Sequence, residues 1–395
     1  MKRNKYVSHA AILIVGIIIG AAVGFFIRSA AYLPSQDFFL PGYATPYAAG
    51  ATVTIDGVPT TLYVEGGNYL PLSLFVEALG GTTTWCDETR QIIISHNNIH
   101  LRPNIRQATI NGRSVNLSSP LRIIGNHSMV SLCFITRYMG LGLGYKNGVL
   151  ILTTEAAQSI PVVMYHHILP RERNTYMPDN PWVISTENFA DQMRYLYENG
   201  FYPVTIEDME KFLFYGRNLP ANSVMIQFDD GYYSNFVYAA PIMRTYDMRG
   251  QIFFITSEIE NLGPIQPTLD YAALTFSAAH TIAAGSDVFE SASHSHSLHD
   301  TLYGTRDTKL MHAMRENIIE DTMRSFDFVE NRRAFVFPQS QRNEYVQNAL
   351  QDAGIVMAFA DGNAPVTRTS NPLSLPRFSV YNETTLDEFS GMVRR

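Results

Sequence analysis

Two adjacent acids and a knot of histidines about 65 residues further on are the groups in this chain best placed to do chemistry. Asp229 and Asp230 follow the apolar run Val224-Met225-Ile226-Gln227-Phe228, which reads as a buried strand. Side chains alternate along a strand, so neighbouring acids at its end point in different directions. One can hold a metal while the other handles a proton. The histidines lie in Ser293-His294-Ser295-His296-Ser297-Leu298-His299. One carboxylate, two imidazoles and an open position describe a catalytic zinc site that activates water. His296 leaves the choice open, because His294 and His296 share a face on a strand while His296 and His299 share one on a helix. Without the histidines, two acids after a strand would read as a solvated turn.

The elements that must position these groups lie in residues 160–395, where strand-like and helix-like stretches alternate. Pro161 to His166, Phe201 to Thr205, Val224 to Phe228, Gly250 to Thr256, Ala334 to Phe337 and Ile355 to Ala360 read as strands. Helices are predicted over 187–199, 206–215, 237–246, 308–329 and 344–353. This alternation predicts an α/β fold with a parallel sheet or barrel. In such folds reactive groups collect at the C-terminal ends of the strands, where Asp229, Asp230 and His166 fall.

The rest of the chain sets the context. Its 395 residues are 46% apolar and 16% charged, with a net charge of −7. That length predicts two or three domains. No basic stripe is present to neutralise phosphates, which argues against a nucleic-acid partner. Lys2, Arg3 and Lys5 precede an uncharged apolar run from Ala10 to Ile27, closed by Arg28. The expectation is a cytoplasmic tip and transmembrane anchor over residues 1–28, with the rest of the chain outside the cell. The alternative is a cleaved signal peptide ending near Ser29-Ala30-Ala31. Gly16, Gly20 and Gly24 form a small-residue stripe that fits a homodimer of such helices, although Gly is also common in spanning helices. Residues 29–50 read as a linker. Cys86 and Cys133 are the only cysteines, so no disulfide framework holds the fold.

Residues 51–155 contain a repeat at an offset of 60. The stretch from Tyr69 to Gly80 aligns with Met129 to Gly140, Trp85 with Tyr145 and Ile92 with Leu152. Asp56-Gly57 and Asn111-Gly112 are hairpin-turn dipeptides ahead of each unit. Each unit reads as hairpin, helix ending at Gly, then hairpin. Pro71-Leu72, Glu77-Ala78-Leu79-Gly80 and Trp85 make this region resemble the N-terminal domain of copper amine oxidases. That resemblance implies a spacer or wall-binding module without copper chemistry.

Residues from about 160 to 390 resemble the polysaccharide deacetylases, the carbohydrate esterase group with NodB homology. Val163-Met164-Tyr165-His166-His167-Ile168, Leu219-Pro220, Phe228-Asp229-Asp230-Gly231-Tyr232, Ala239-Ala240-Pro241-Ile242, Ser293-His294-Ser295 and Leu375-Pro376-Arg377 carry it, in the family's order. The opening string and the His294–His299 spacing are similar to the branch acting on poly-N-acetylglucosamine. The resemblance implies a distorted (β/α) barrel and removal of acetyl groups from amino sugars in a polymer. It implies Asp230, His294 and His299 as ligands of a divalent metal, with Zn2+ the expected ion, and Asp229 as general base. Asp300 or a serine is the expected hydrogen-bond partner of a ligand histidine. A proton-donating histidine near the C-terminus is missing, and His166 is the best substitute. The family's Pro-Tyr-Gly is Pro338-Gln339-Ser340 here, and Gln339 can still donate its backbone N–H to an oxyanion. The family's base-orienting arginine is also absent, since Val336 stands there. Arg377 either replaces it as partner of Asp229 or lies on the surface. The combined expectation is a single-pass cell-membrane enzyme with an extracellular deacetylase domain at 160–395. The competing expectation is a glycan-binding homologue that has lost turnover. A glycosidase would need carboxylates about 5 to 9 Å apart across a sugar, which the adjacent acids fit less well.

Overall fold

The structure is a computed structural model that describes residues 51–64, 69–117, 119–175, 178–261 and 288–394. These residues belong to one compact unit, Tyr47–Arg395. The expected single-pass membrane location needs correction. Among the described residues no helix is long and apolar enough to cross a membrane. The run 10–27, its stripe of Gly16, Gly20 and Gly24, and the linker 29–50 lie outside the described residues.

The repeat is visible in the backbone. Tyr69–Pro71 leads into a helix at Leu72–Ala78, and His127–Ser131 into a helix at Leu132–Tyr138. Both helices are followed by a glycine at positive φ, Gly80 and Gly140. The two lead-in strands pair antiparallel, with Leu70 opposite Val130, the same residues the offset equates. The flanking hairpins are exchanged, however. Thr52–Ile55 pairs with Val149–Thr153 of the second unit, while Gln107–Ile110 and Arg113–Asn116 complete the sheet that holds Thr83–Cys86 and Gln91–Ile94 of the first. Exchange lets both units share one core, built on Leu70, Phe75, Val130, Phe134 and Leu152. Cys86 is a free thiol.

Seven parallel strands form the second part: Val162–Tyr165, Ser223–Phe228, Gly250–Phe254, Phe289–Ser293, Ala334–Val336, Met357–Asp361 and Leu375–Ser379. The sheet closes because Val162–Tyr165 pairs with both Ser223–Phe228 and Leu375–Ser379. Tyr202–Pro203 adds a short strand beside the start of Ser223–Phe228. Alternation along the strands sorts their side chains. Val162, Met225, Phe253, Ala292, Val336, Phe359 and Leu375 share one cluster, which fills the barrel. The intervening Val163, Ile226, Phe228, Ile252 and Phe254 pack outward with Phe189, Met193 and Phe389 of the helices Thr186–Glu198 and Leu386–Val393. The filling cluster also takes in Ile206, Met209 and Phe212 of the helix Ile206–Phe214. That helix therefore plugs the N-terminal end of the strands and leaves the C-terminal end as the mouth. The helix expected over 308–329 is broken, because Ala313 and Met314 are extended between Lys309–His312 and Arg315–Ser325.

The two parts touch through a close backbone approach. A Cβ on Gly144 would lie 2.5 Å from the ring of Tyr202. The Tyr202 hydroxyl accepts from the Tyr145 N–H at 3.3 Å and donates to Asp208 at 2.8 Å. Asn218 donates to the Thr136 carbonyl at 2.8 Å.

Candidate metal centre and active site

Asp229 and Asp230 leave the strand Ser223–Phe228 at the mouth. The Asp229 N–H still donates to the Tyr165 carbonyl at 2.9 Å, so Asp229 continues the ladder and keeps the inward direction of Gln227. Asp230 then turns the chain at φ +70, followed by Gly231 at φ +84. The aspartate at this φ is a strained backbone position, of the kind that concentrates at functional sites. Gly231 is required for a second reason, since a Cβ there would sit 2.3 Å from the Phe254 ring.

His294 extends the strand Phe289–Ser293, its N–H donating to the Phe254 carbonyl at 2.8 Å. Its Nδ1 lies 2.8 Å from the Val336 carbonyl. A carbonyl can only accept, so Nδ1 carries the proton and donates it, and Nε2 is left facing Asp230 Oδ1 at 3.4 Å. Ser295 bends the chain at φ +70. Asp321, from the helix Arg315–Ser325, then clamps the turn by accepting from the His296 N–H at 2.8 Å, the Ser297 N–H at 2.7 Å and the Ser297 hydroxyl at 2.8 Å. The bend carries His299 back, so its Nε2 reaches 3.5 Å from Asp230 Oδ1, and the two histidine rings stand edge to face at 4.7 Å. His296 is turned away, hydrogen-bonded to Thr256 at 3.0 Å and stacked on Phe328. Asp300 is not the partner of a ligand histidine; it pairs with Lys309 at 2.8 Å, and the Val336 carbonyl takes the role for His294.

Asp230, His294 and His299 thus bring one ligand atom each within 4.8 Å of one another. A carboxylate oxygen and two imidazole nitrogens are a donor set for zinc and its neighbours in the first transition row. Burial pushes the Asp230 carboxyl up, but its close contact with His294 and the nearby imidazoles outweigh it and hold it far below the usual carboxylate range. Burial, with the neighbouring His294 imidazole, pushes His299 down to about 4, so it is neutral and its Nε2 is available as a donor at neutral pH.

Asp229 meets Arg377, which the last barrel strand brings across the interior. The guanidinium donates to both carboxylate oxygens, at 2.7 and 2.8 Å, and to Gln227 Oε1 at 3.2 Å. Arg377 is 1% exposed and is no surface charge. Burial raises the Asp229 carboxyl, but the Arg377 charge, the nearby His294 and the Arg377 hydrogen bonds together outweigh it and hold the carboxyl below its ordinary value. His166 is half-buried, its ring 4.5 Å from that of Trp182. Gln339 is exposed at φ +50 and Ser340 follows at φ +58, so two residues without glycine's freedom take left-handed backbone. The hydrogen bonds of that turn run from the N–H groups of Ser340 and Gln341 rather than from Gln339. Sequence reasoning missed Asp321 and the Val336 carbonyl. Neither carries a local signal, because both reach the histidines from distant elements.

Two families match separate parts of the chain. The copper amine oxidase N-terminal domain family matches residues 47–151, and the polysaccharide deacetylase family matches residues 216–358. The Bacillus subtilis protein YxkH, whose name places it provisionally among polysaccharide deacetylases, is 23% identical over 231 residues, 58% of this chain and 74% of its own. A Staphylococcus aureus poly-beta-1,6-N-acetyl-D-glucosamine N-deacetylase is 25% identical over 221 residues, covering 54% of this chain and 71% of its own. Among solved structures, the Streptococcus pyogenes deacetylase PplD in complex with acetate aligns with a TM-score of 0.48 at 18% identity, over 60% of this chain and 99% of its own. Residues 216–358 thus belong to a polysaccharide deacetylase domain of the carbohydrate esterase 4 group, whose members hydrolyse N-acetyl amide bonds, with a copper amine oxidase N-terminal domain ahead of it.

Proposed function

We propose that this chain hydrolyses the acetamide of N-acetylglucosamine-type residues in a polysaccharide, with a divalent metal held by Asp230, His294 and His299. The observation that carries this reading is the meeting of those three groups beside the Asp229–Arg377 pair. The sugar is suggested by the Staphylococcus aureus relative, which is named for β-1,6-linked N-acetylglucosamine. Zn2+ is the expected ion on the nature of the donors. When bound, such an ion supplies Lewis acidity that acidifies water and polarises the acetamide carbonyl.

The protein's own groups do the rest. Asp229 accepts a proton from the attacking water; two of its four lone-pair positions remain after Arg377 has taken two. Arg377 fixes the carboxylate in place and keeps it ionised. The Gln339 N–H donates to the oxygen on which charge develops. His166 returns a proton to the leaving nitrogen, so water and amide become acetate and a free amine.

The test is acetate release from short soluble oligomers of β-1,6-linked N-acetylglucosamine. Release should stop on chelation, return with Zn2+, and fall away in His294→Ala together with bound metal. Acetate release undiminished after complete chelation would sink the metal-dependent reading. The left-handed turn at Gln339 and Ser340 favours one second reading, glycan binding without turnover. Oligomer binding without acetate release under saturating metal selects it.

A further inference from the structure

Two aromatic rings at the mouth take no part in the steps above. Trp182 packs against His166 with ring centres 4.5 Å apart, and Tyr381 packs against Trp182 at 4.8 Å. The three rings form a row. Its inner end lies at the reacting groups, since His166 directly follows Tyr165, whose carbonyl accepts from the Asp229 N–H at 2.9 Å. Its outer end is open, with Tyr381 39% exposed.

The row is not core packing. Among the described residues, neither Trp182 nor Tyr381 belongs to the apolar clusters that fill and surround the barrel. Both are nonetheless held from below. The Trp182 carbonyl accepts from the His167 N–H at 3.2 Å, and the Trp182 N–H donates to Asn180 Oδ1 at 3.0 Å. The Pro181 carbonyl accepts from the Asn382 N–H at 2.8 Å, which ties the segment of Trp182 to that of Tyr381. The Tyr381 N–H donates to Thr384 Oγ1 at 2.9 Å. Two flat rings, fixed by their backbone and partly open to water, are preorganised to receive a flat apolar face.

We propose that Trp182 and Tyr381 form the subsite for the sugar next to the one that loses its acetyl group, stacking on the C–H face of that pyranose. This rests on the deacetylase reading above. The acetamide to be cleaved must reach Asp229, Asp230 and the histidines, so a row that begins at His166 and leads outward meets the neighbouring sugar. A pyranose ring offers an apolar face edged by hydroxyls. An indole and a phenol match it with large apolar area, and their polar edges can face the hydroxyls. The subsite makes the enzyme prefer an oligomer over a single sugar.

The experiment compares Trp182→Ala and Tyr381→Ala with the parent on the β-1,6-linked N-acetylglucosamine oligomer and on free N-acetylglucosamine. Tyr381 sits at the outer end of the row, against Trp182, and its exposure makes the substitution safe for the fold. Both variants should raise KM for the oligomer roughly tenfold with kcat nearly kept. Neither should change KM for the single sugar, and Tyr381→Phe should retain most of the parent's affinity. Unchanged KM in both alanine variants overturns the proposal. So does a fall in kcat alone in Trp182→Ala, which would make Trp182 only a support for His166. If the parent releases no acetate, the deacetylase reading has failed separately. Calorimetric binding of the same oligomer then decides the subsite: weaker binding by Tyr381→Ala supports it, and equal or absent binding in both proteins overturns it.

Discussion

At the plugged end of the barrel, Arg333 donates to both oxygens of Glu210, at 2.9 and 2.6 Å. Glu290 accepts from the Ile206 N–H at 2.9 Å and from Gln251 at 3.0 Å, and Asp208 accepts from Tyr202 at 2.8 Å. At the mouth, Arg377 makes the same two-pronged contact with Asp229, but its neighbour Asp230 is turned by a positive φ towards two imidazole nitrogens. Both ends bury carboxylates. At the plugged end they tie a helix to the strands and cap its N-terminus, so each acid closes a structural contact. At the mouth Asp230 converges with the Nε2 atoms of two histidines, and the backbone is bent to make them converge. A buried charge is thus no sign of chemistry by itself. What marks the mouth is convergence, at strained turns, of several atoms able to hold a metal.

The sharpest way to break this contrast is at Asp229. Asp229→Asn keeps the shape but removes the proton acceptor, and acetate release should fall by about 10²- to 10⁴-fold. Circular dichroism and metal content should stay as in the parent, because Asp229 is not among the three converging ligands. Retained activity would place the base elsewhere.

The two arginine forks come next. Arg377→Ala leaves Asp229 buried without a counter-charge and should cost about 3–5 kcal/mol, read from the denaturant midpoint. Arg377→Lys should recover only part, since an ammonium cannot reproduce the fork. In the unfolded chain Asp229 titrates at its ordinary value, and in the fold Arg377 holds it lower. The stability from this pair is therefore full above the ordinary value and is lost as pH falls through the folded one. Arg377→Ala should flatten that acid limb. Arg333→Ala is the matched change at the other end. Arg333 is 39% exposed, so water screens the pair and the cost should be only about 1–2 kcal/mol. Equal costs at the two arginines would show that the mouth is no drier than the plugged end.

The same contrast explains what could be read from the sequence. The strand before Asp229, the acid pair and the histidine knot are local patterns, and alternation placed them at strand ends. Which histidine turns away could not be read from residue types, since His296 is oriented by Asp321 and Thr256, 25 and 40 residues removed. Arg377 had two open readings until the closed sheet brought the last strand beside the first. The repeat was legible at an offset of 60, but the exchange of its hairpins was not, because either pairing satisfies the same alternation. The approach of Gly144 to Tyr202 carries no signal beyond a glycine in a strand.

The smallest effect is expected at Glu290. Burial drives its carboxyl above the ordinary value of 4.5, against hydrogen bonds from Ile206 and Gln251 that favour the ionised form. Its sign is opposite to that of Asp229. Below the ordinary value the group is protonated in both folded and unfolded chains and costs nothing. As pH rises through the raised folded value, the fold must carry a buried anion, and stability declines. Glu290→Gln keeps the shape and an acceptor for the Ile206 N–H but cannot ionise. Its stability relative to the parent should therefore rise with pH from about 4.5 upwards and level off once the parent's carboxyl is fully ionised. Denaturant midpoints of both proteins over a pH series give the curve. Acetate release should be unaffected, since Glu290 lies at the plugged end. A relative stability that falls with pH would mean that Glu290 is stabilised as an anion, and the two ends of the barrel would then treat their carboxylates alike.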